Sequence, residues 1–233
     1  ARTPTLDTLS AIQACHATTI PFENLTPFLH QPVRLDTASL LQKIVHTGRG
    51  GYCFEHNLLL RHVLTTLGFQ VTGLAARVRL NVPDEVITAR GHMLLRVDLE
   101  EQSYIVDVGF GGLTLTAPLR LVPDIEQPTR HELCRLVADN NTFILQAYVN
   151  QAWKSLYSFD LQEQQLPDYE VTSWYLSNHP DSHFVTGLIA ARPDENRRYA
   201  LRNNQFAIHY LNGSTERRTL TTVAELRATL ADT

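Results

Sequence analysis

The spacing of apolar residues divides the chain into three textures. Up to about residue 69 they recur at helical intervals. TLDTLSAIQACHATT sets Leu6, Leu9, Ile12 and Cys15 on one stripe, a helix with Cys15 on its apolar face. IPFEN breaks that pattern with a proline. LDTASLLQKIVHTG offers Asp36 or Thr37 as a cap and Gly48 as a stop. CFEHNLLLRHVLTTLG carries Leu58, Leu59, Val63 and Leu67 and closes on Gly68. From Phe69 to about Tyr157 the period shortens to two, the mark of strands: QVTGLAARVRL, HMLLRV and SYIVDVGF, then a hairpin turning at Asp139-Asn140-Asn141. The remainder mixes both, with a hairpin at Asn212-Gly213 and a final short helix, TVAELRATLADT. The expectation is an α+β chain in three parts: residues 1–69 helical, 70–165 antiparallel strands, 166–233 mixed.

Composition narrows the class without naming a function. The 233 residues are 43% apolar and 19% charged, ordinary for a globular protein. A net charge of -4 argues against nucleic acid as the main partner. No apolar run approaches the roughly 20 residues of a membrane span, and the opening residues lack a secretion-signal pattern. Cys15, Cys53 and Cys134 are too few and too scattered for a disulfide framework, so a reducing cytoplasm is the expected compartment. Cys15 and Cys134 read as core residues. Cys53 with His56 and His46 lacks the ligand set of a structural zinc site, and HPDSH is not a metal motif; no metal is expected.

Cys53 has a different setting. It follows Gly50 and Gly51, which can take backbone angles closed to other residues, and it opens a helix. A helix N-terminus presents unpaired N–H groups and a partial positive charge, which favour a thiolate and can hold an oxyanion. A cysteine nucleophile needs a base, and the base an orienting group. His92 opens one strand and Asp107 closes the next. A four-residue loop at Asp98–Glu101 would pair Leu95 with Tyr104 and set His92 directly opposite Asp107, about 5 Å apart at Cβ. The glycines of DVGFGG (Gly109, Gly111 and Gly112) allow close approach to a ligand. Glu23 and Arg49 are expected to pair and anchor the glycine turn.

TIPFENL, RGGYCFEHN, GHMLLRV and DVGFGG, in that order, resemble the arylamine N-acetyltransferases, with the nearest likeness to the enterobacterial N-hydroxyarylamine O-acetyltransferases. The resemblance implies a helical bundle, a β-barrel and an α/β lid around a papain-like cysteine-enzyme core. It implies acetyl-CoA as co-substrate, no metal and no bound prosthetic group. Acceptors would be arylamines, arylhydrazines or N-hydroxyarylamines, reached by ping-pong transfer through Cys53, with His92 as base and Asp107 orienting it. It further places Gly109, Phe110, Gly111 and Gly112 along the CoA and acceptor cleft, with Phe110 and Tyr52 near the acceptor ring and Ser182 near the cofactor. Neither nucleic acid nor membrane is implied; a homodimer is compatible with it. Three other readings stand beside it: a hydrolytic or transglutaminase-like cysteine enzyme, a relative making amides from a larger acyl donor, and a non-catalytic binding module. A papain-type spacing of roughly 130–150 residues from Cys to His is not met, because the interval here is 39.

Overall fold

The computed structural model describes residues 4–83 and 85–232. Helix α1 (Leu6–Thr19) begins at Thr5, whose hydroxyl accepts the Thr8 N–H at 3.2 Å. Next come β1 (Phe22–Glu23), α2 (Leu25–Phe28) and α3 (Thr37–Leu40). Asp36 caps α3 through the Ser39 N–H, and the helix runs on as a π-helical turn over Leu41–His46. Gly48, at φ +66°, ends it in the left-handed region that favours glycine. Helix α4 (Cys53–Thr66) completes the helical part.

The middle of the chain forms an antiparallel β-barrel: β2 (Gln70–Val78), β3 (His92–Leu99), β4 (Gln102–Val106), β5 (Leu119–Arg120), β6 (Gln127–Pro128), β7 (Leu133–Asp139), β8 (Thr142–Val149) and β9 (Ala152–Phe159). Their order around the eight-stranded sheet is β5-β4-β3-β2-β9-β8-β7-β6. Then follow α5 (Leu166–Asn178), α6 (His183–Thr186), β10 (Ile189–Pro193), β11 (Arg197–Arg202), β12 (Gln205–Tyr210), β13 (Thr215–Thr219) and α7 (Val223–Asp232). The last four strands make a second sheet whose outer member is β1, from far earlier in the chain. The architecture is α+β.

Strand β3 is buried on both faces. Met93, Leu95 and Val97 join the core under α1, α4 and α5, while Leu94 joins the barrel interior with Leu74, Ile105 and Leu156. It is the shared wall between bundle and barrel. A third, smaller core of Leu188, Leu201, Phe206 and Leu220 lies in the last part of the chain. Two polar ties fasten that part to the rest. The Asn24 amide donates to the Phe184 and Gly187 carbonyls and accepts from the Ile189 N–H, each at 2.7 Å. Arg198 meets Glu132 with two bonds, at 2.6 and 2.5 Å, and reaches the Thr114 carbonyl at 3.0 Å.

Two expectations fail. Cys15 is exposed, not core; α1 buries Leu9, Gln13, Ala14 and Ala17 instead. The polar Gln13 occupies a core position because its amide N–H groups face the carbonyls of Asp107, Leu115 and Ala117. The β3–β4 register is also different. Leu99 pairs with Gln102 and Leu95 with Val106, so the loop is the two-residue Glu100-Glu101, with Glu100 at φ +53°. The register moves by two, which keeps every side chain on its expected face.

Candidate active site

Glycines 50 and 51 are needed for space and not for unusual angles, contrary to expectation: neither has a positive φ. A Cβ on Gly50 would sit 1.9 Å from the Pro21 carbonyl oxygen, and one on Gly51 2.7 Å from Glu55 Oε2. The turn they make is held on both sides. Arg49 donates twice to Glu23 Oε1, at 3.0 and 2.8 Å, and Glu23 Oε2 accepts the Leu25 N–H. Lys43 meets Glu55 Oε1 at 2.7 Å, while Glu55 Oε2 accepts the Tyr52 N–H and caps α4. Burial pushes the Glu55 carboxyl up, and Lys43 opposes that. Cys53 is therefore fixed at the first position of α4, with 3% of its surface exposed.

Its Sγ lies 3.8 Å from the Gly91 carbonyl oxygen, at the entry to β3. The next residue, His92, donates from Nε2 to Asp107 Oδ2 at 2.7 Å. With the register moved by two, Asp107 lies just beyond β4 and reaches His92 diagonally, not from directly opposite. The remaining ring nitrogen, Nδ1, is not used by Asp107, and Cys53 is close enough to bear on the charge of the imidazole. Burial alone would lower the His92 pKa, but the Asp107 carboxylate, helped by Cys53, outweighs it and holds it up at about 10. Burial conversely favours a neutral Asp107, yet His92, Asn57 and the Gly109 N–H keep it below the usual carboxylate range. Asp107 Oδ1 accepts from Asn57 at 3.0 Å and from Gly109 at 2.8 Å.

The structure thus brings Cys53, His92 and Asp107 together, in a pocket of the core almost closed to water. Phe110 stands edge-on to the His92 ring at 5.1 Å between centroids, and Tyr157 is 4.9 Å away on another side. Burial and the Asp107 charge push the Tyr157 phenol far up, so it stays neutral. Gly109 abuts the helix start, where a Cβ would lie 2.7 Å from Cys53 Cα. Gly111, at φ +77°, packs on Phe22, whereas Gly112 borders a cleft of about 290 Å³ with His131, Arg198 and His209. Tyr52 and Ser182 serve the framework. Tyr52 is fully buried with its hydroxyl on Ser173, and Ser182 caps α6 and donates to the Leu176 carbonyl. Asn57 and Gln13 are site neighbours that the motifs did not single out, and His56 was weighed only as a metal ligand; the spacing of Asn57 one helical turn after Cys53 is the signal that could have found the first.

Comparison with known proteins agrees with this geometry. The N-acetyltransferase family model matches residues 5–233. The arylamine N-acetyltransferase of Mycolicibacterium smegmatis is 46% identical over 91% of this chain and 78% of its own length. The arylamine N-acetyltransferase / N-hydroxyarylamine O-acetyltransferase of Salmonella typhimurium is 42% identical over 81% of this chain and 67% of its own. The structure of the Mycobacterium marinum arylamine N-acetyltransferase in complex with CoA superposes with a TM-score of 0.96 at 42% identity, covering 100% of this chain and 87% of that one. In sequence and in fold alike, the chain belongs to the arylamine N-acetyltransferase family.

Proposed function

We propose that the protein transfers the acetyl group of acetyl-CoA to arylamines, arylhydrazines or N-hydroxyarylamines in two steps through a thioester on Cys53. One observation carries the reading: a thiol at a helix start, on the carbonyl of the residue before an imidazole that is itself held by a buried carboxylate. His92 holds the proton shared with Cys53 as an imidazolium, and the sulfur attacks the thioester carbonyl. The oxyanion forms beside the N–H groups of the first turn of α4. Collapse expels the CoA thiolate, which recovers the proton from His92. Exchanging one thioester for another is close to thermoneutral. The acceptor's nitrogen or oxygen then attacks the acetyl-cysteine, its proton passing to His92 and on to the departing Cys53 sulfur. The product is an amide or an N-acyloxy ester, and the free thiol returns.

Exclusion of water favours transfer over hydrolysis. Cys53 and His92 are each 3% exposed and Asp107 is 0% exposed, so a thioester there meets few competing waters. Phe110 offers an aromatic edge beside the base for a flat acceptor. The cleft bounded by Gly112, His131, Arg198 and His209 suits the phosphates of CoA. CoA in the M. marinum relative supports the donor.

The test is intact mass after brief exposure to acetyl-CoA. One acetyl group is expected on the native chain, none on Cys53→Ala, and its loss on adding an aromatic amine with appearance of the acetylated amine. An adduct discharged as fast by water as by amine would mean a hydrolase.

A further inference from the structure

Two buried asparagines in this chain make the same number of side-chain bonds. Asn24 spends its three on the lid, as described above. Asn57 spends its three around the reacting groups. Its Nδ2 donates to the Met93 carbonyl at 2.8 Å and to Asp107 Oδ1 at 3.0 Å, and its Oδ1 accepts the Val108 N–H at 3.2 Å. Met93 is the neighbour of the base, and Val108 the neighbour of its carboxylate partner. Asn57 itself is on α4, four residues after the nucleophile and hence on the same side of the helix. Each of the three segments that carry a reacting group is tied to this one amide.

We propose that Asn57 is a positioning residue for the acyl transfer: it locks the register of the nucleophile helix against the His92 strand and turns the Asp107 carboxylate so that Oδ2 faces the imidazole. The inference rests on the assignment of Cys53, His92 and Asp107 made above. The geometry explains why an amide is suited to the place. A carbonyl and a carboxylate need donors, a backbone N–H needs an acceptor, and only Asn or Gln offers both on one rigid plane. Gln would add a methylene where Asn57 Nδ2 already lies within 2.8 Å of the position a Cβ on Gly109 would take. Oδ1 of Asp107, occupied by Asn57 and Gly109, has no freedom to swing toward His92. Gln13 completes the frame from α1 by donating to the Asp107 carbonyl.

Alkylation of Cys53 by iodoacetamide across pH, read by peptide mass, reports the thiolate–imidazolium pair without any acyl donor. The titratable groups that face that pair are Asp107 and Tyr157 beside His92 and Tyr52 and Tyr169 beside Cys53, and all remain in the variants. In Asn57→Ala the alkylation profile should move to higher pH by roughly one unit, because the imidazolium loses well-placed support from Asp107. Acetyl transfer, measured as kcat/KM, should fall on the order of 100-fold, carried by kcat. Asn24→Ala is the matched control, losing equal hydrogen bonds elsewhere; its melting temperature should fall while its alkylation profile stays in place. Should Asn57→Ala not fold, Asn57→Ser, which keeps one donor, should show a smaller shift in the same direction. Profiles for the Asn57 variants that coincide with those of the native chain and Asn24→Ala would reduce Asn57 to a structural residue and overturn the proposal. A native chain that alkylates normally but never accepts an acetyl group would instead overturn the transfer chemistry and leave the positioning role standing.

Discussion

Two buried histidines flank the start of α4, and they are opposites. His92, 3% exposed, lies against a carboxylate and is held protonated well into the alkaline range. His56, 0% exposed and three residues beyond Cys53, is pushed down to about 4, by burial above all. Its Nε2–H donates to the Pro21 carbonyl at 3.1 Å, so its Nδ1 must accept from His16 Nε2–H at 2.9 Å. Phe22 lies nearly parallel to its ring. His16 is likewise lowered, by burial and by His56. Burial penalises charge equally in both places; the partner decides the outcome. One site gives a charged imidazole at neutral pH, the other a neutral brace. The brace holds the Pro21 carbonyl, which also accepts the Gly51 N–H, and so fixes the turn that leads into Cys53.

The comparison is broken most severely by removing the carboxylate. Asp107→Ala should leave His92 as buried and as uncharged at neutral pH as His56, and lower the rate of Cys53 acetylation by roughly 10³–10⁴-fold. Stopped-flow measurement of CoA release would read the loss directly.

A smaller effect is expected from acid. Between pH 6.5 and 4 the unfolded chain protonates His56 while the folded chain does not, so folding stability falls as pH falls through that window. A shift of this size corresponds to about 3 kcal/mol at its lower end. Asp107 acts in the same direction at still lower pH, since its depressed folded pKa gives stability that disappears on protonation. His92 acts at the other end: its raised pKa contributes stability fully present below about 6.5, lost as pH rises towards 10. Urea midpoints measured against pH should peak near neutrality, and His56→Gln should flatten the acid side alone.

The smallest expected effect is at the outer brace of the turn. The Glu23 side chain is 5% exposed, but that of its partner Arg49 is 38% exposed, which screens the pair. Glu23→Gln should cost about 1–2 kcal/mol in chemical denaturation and make Cys53 slower to alkylate. Unchanged stability and unchanged reactivity together would show that the inner histidine brace suffices.

What could be read in advance, and what could not, follows from the range of each interaction. The order of helices, barrel strands and mixed lid was legible because periodicity is local. The cluster of Cys53, His92 and Asp107 was legible because short motifs carry it. The β3–β4 loop misled because its two residues are Glu100 and Glu101, with none of the Gly or Asn that normally marks a tight turn. The diagonal His92–Asp107 contact survived that error only because the slip was even. Cys15 was misplaced because the buried stripe of α1 includes Gln13, whose partners are at least 94 residues away. The contribution of β1 to the distant lid sheet and the reach of Asn57 were hidden for the same reason. Each depends on residues that meet only after folding.

The glycines of the loop after Asp107 also divide the protein's future substitutions into two kinds. At Gly109 the barrel rim rests directly on the backbone of α4, and a side chain there would collide with Cys53. At Gly112, three residues on, a Cβ would meet nothing within 4 Å. A side chain at the second position would point into open space beside the cleft of His131 and Arg198, while the first stays closed. The shape of this loop can therefore be changed at the rim of the cleft without crowding Cys53.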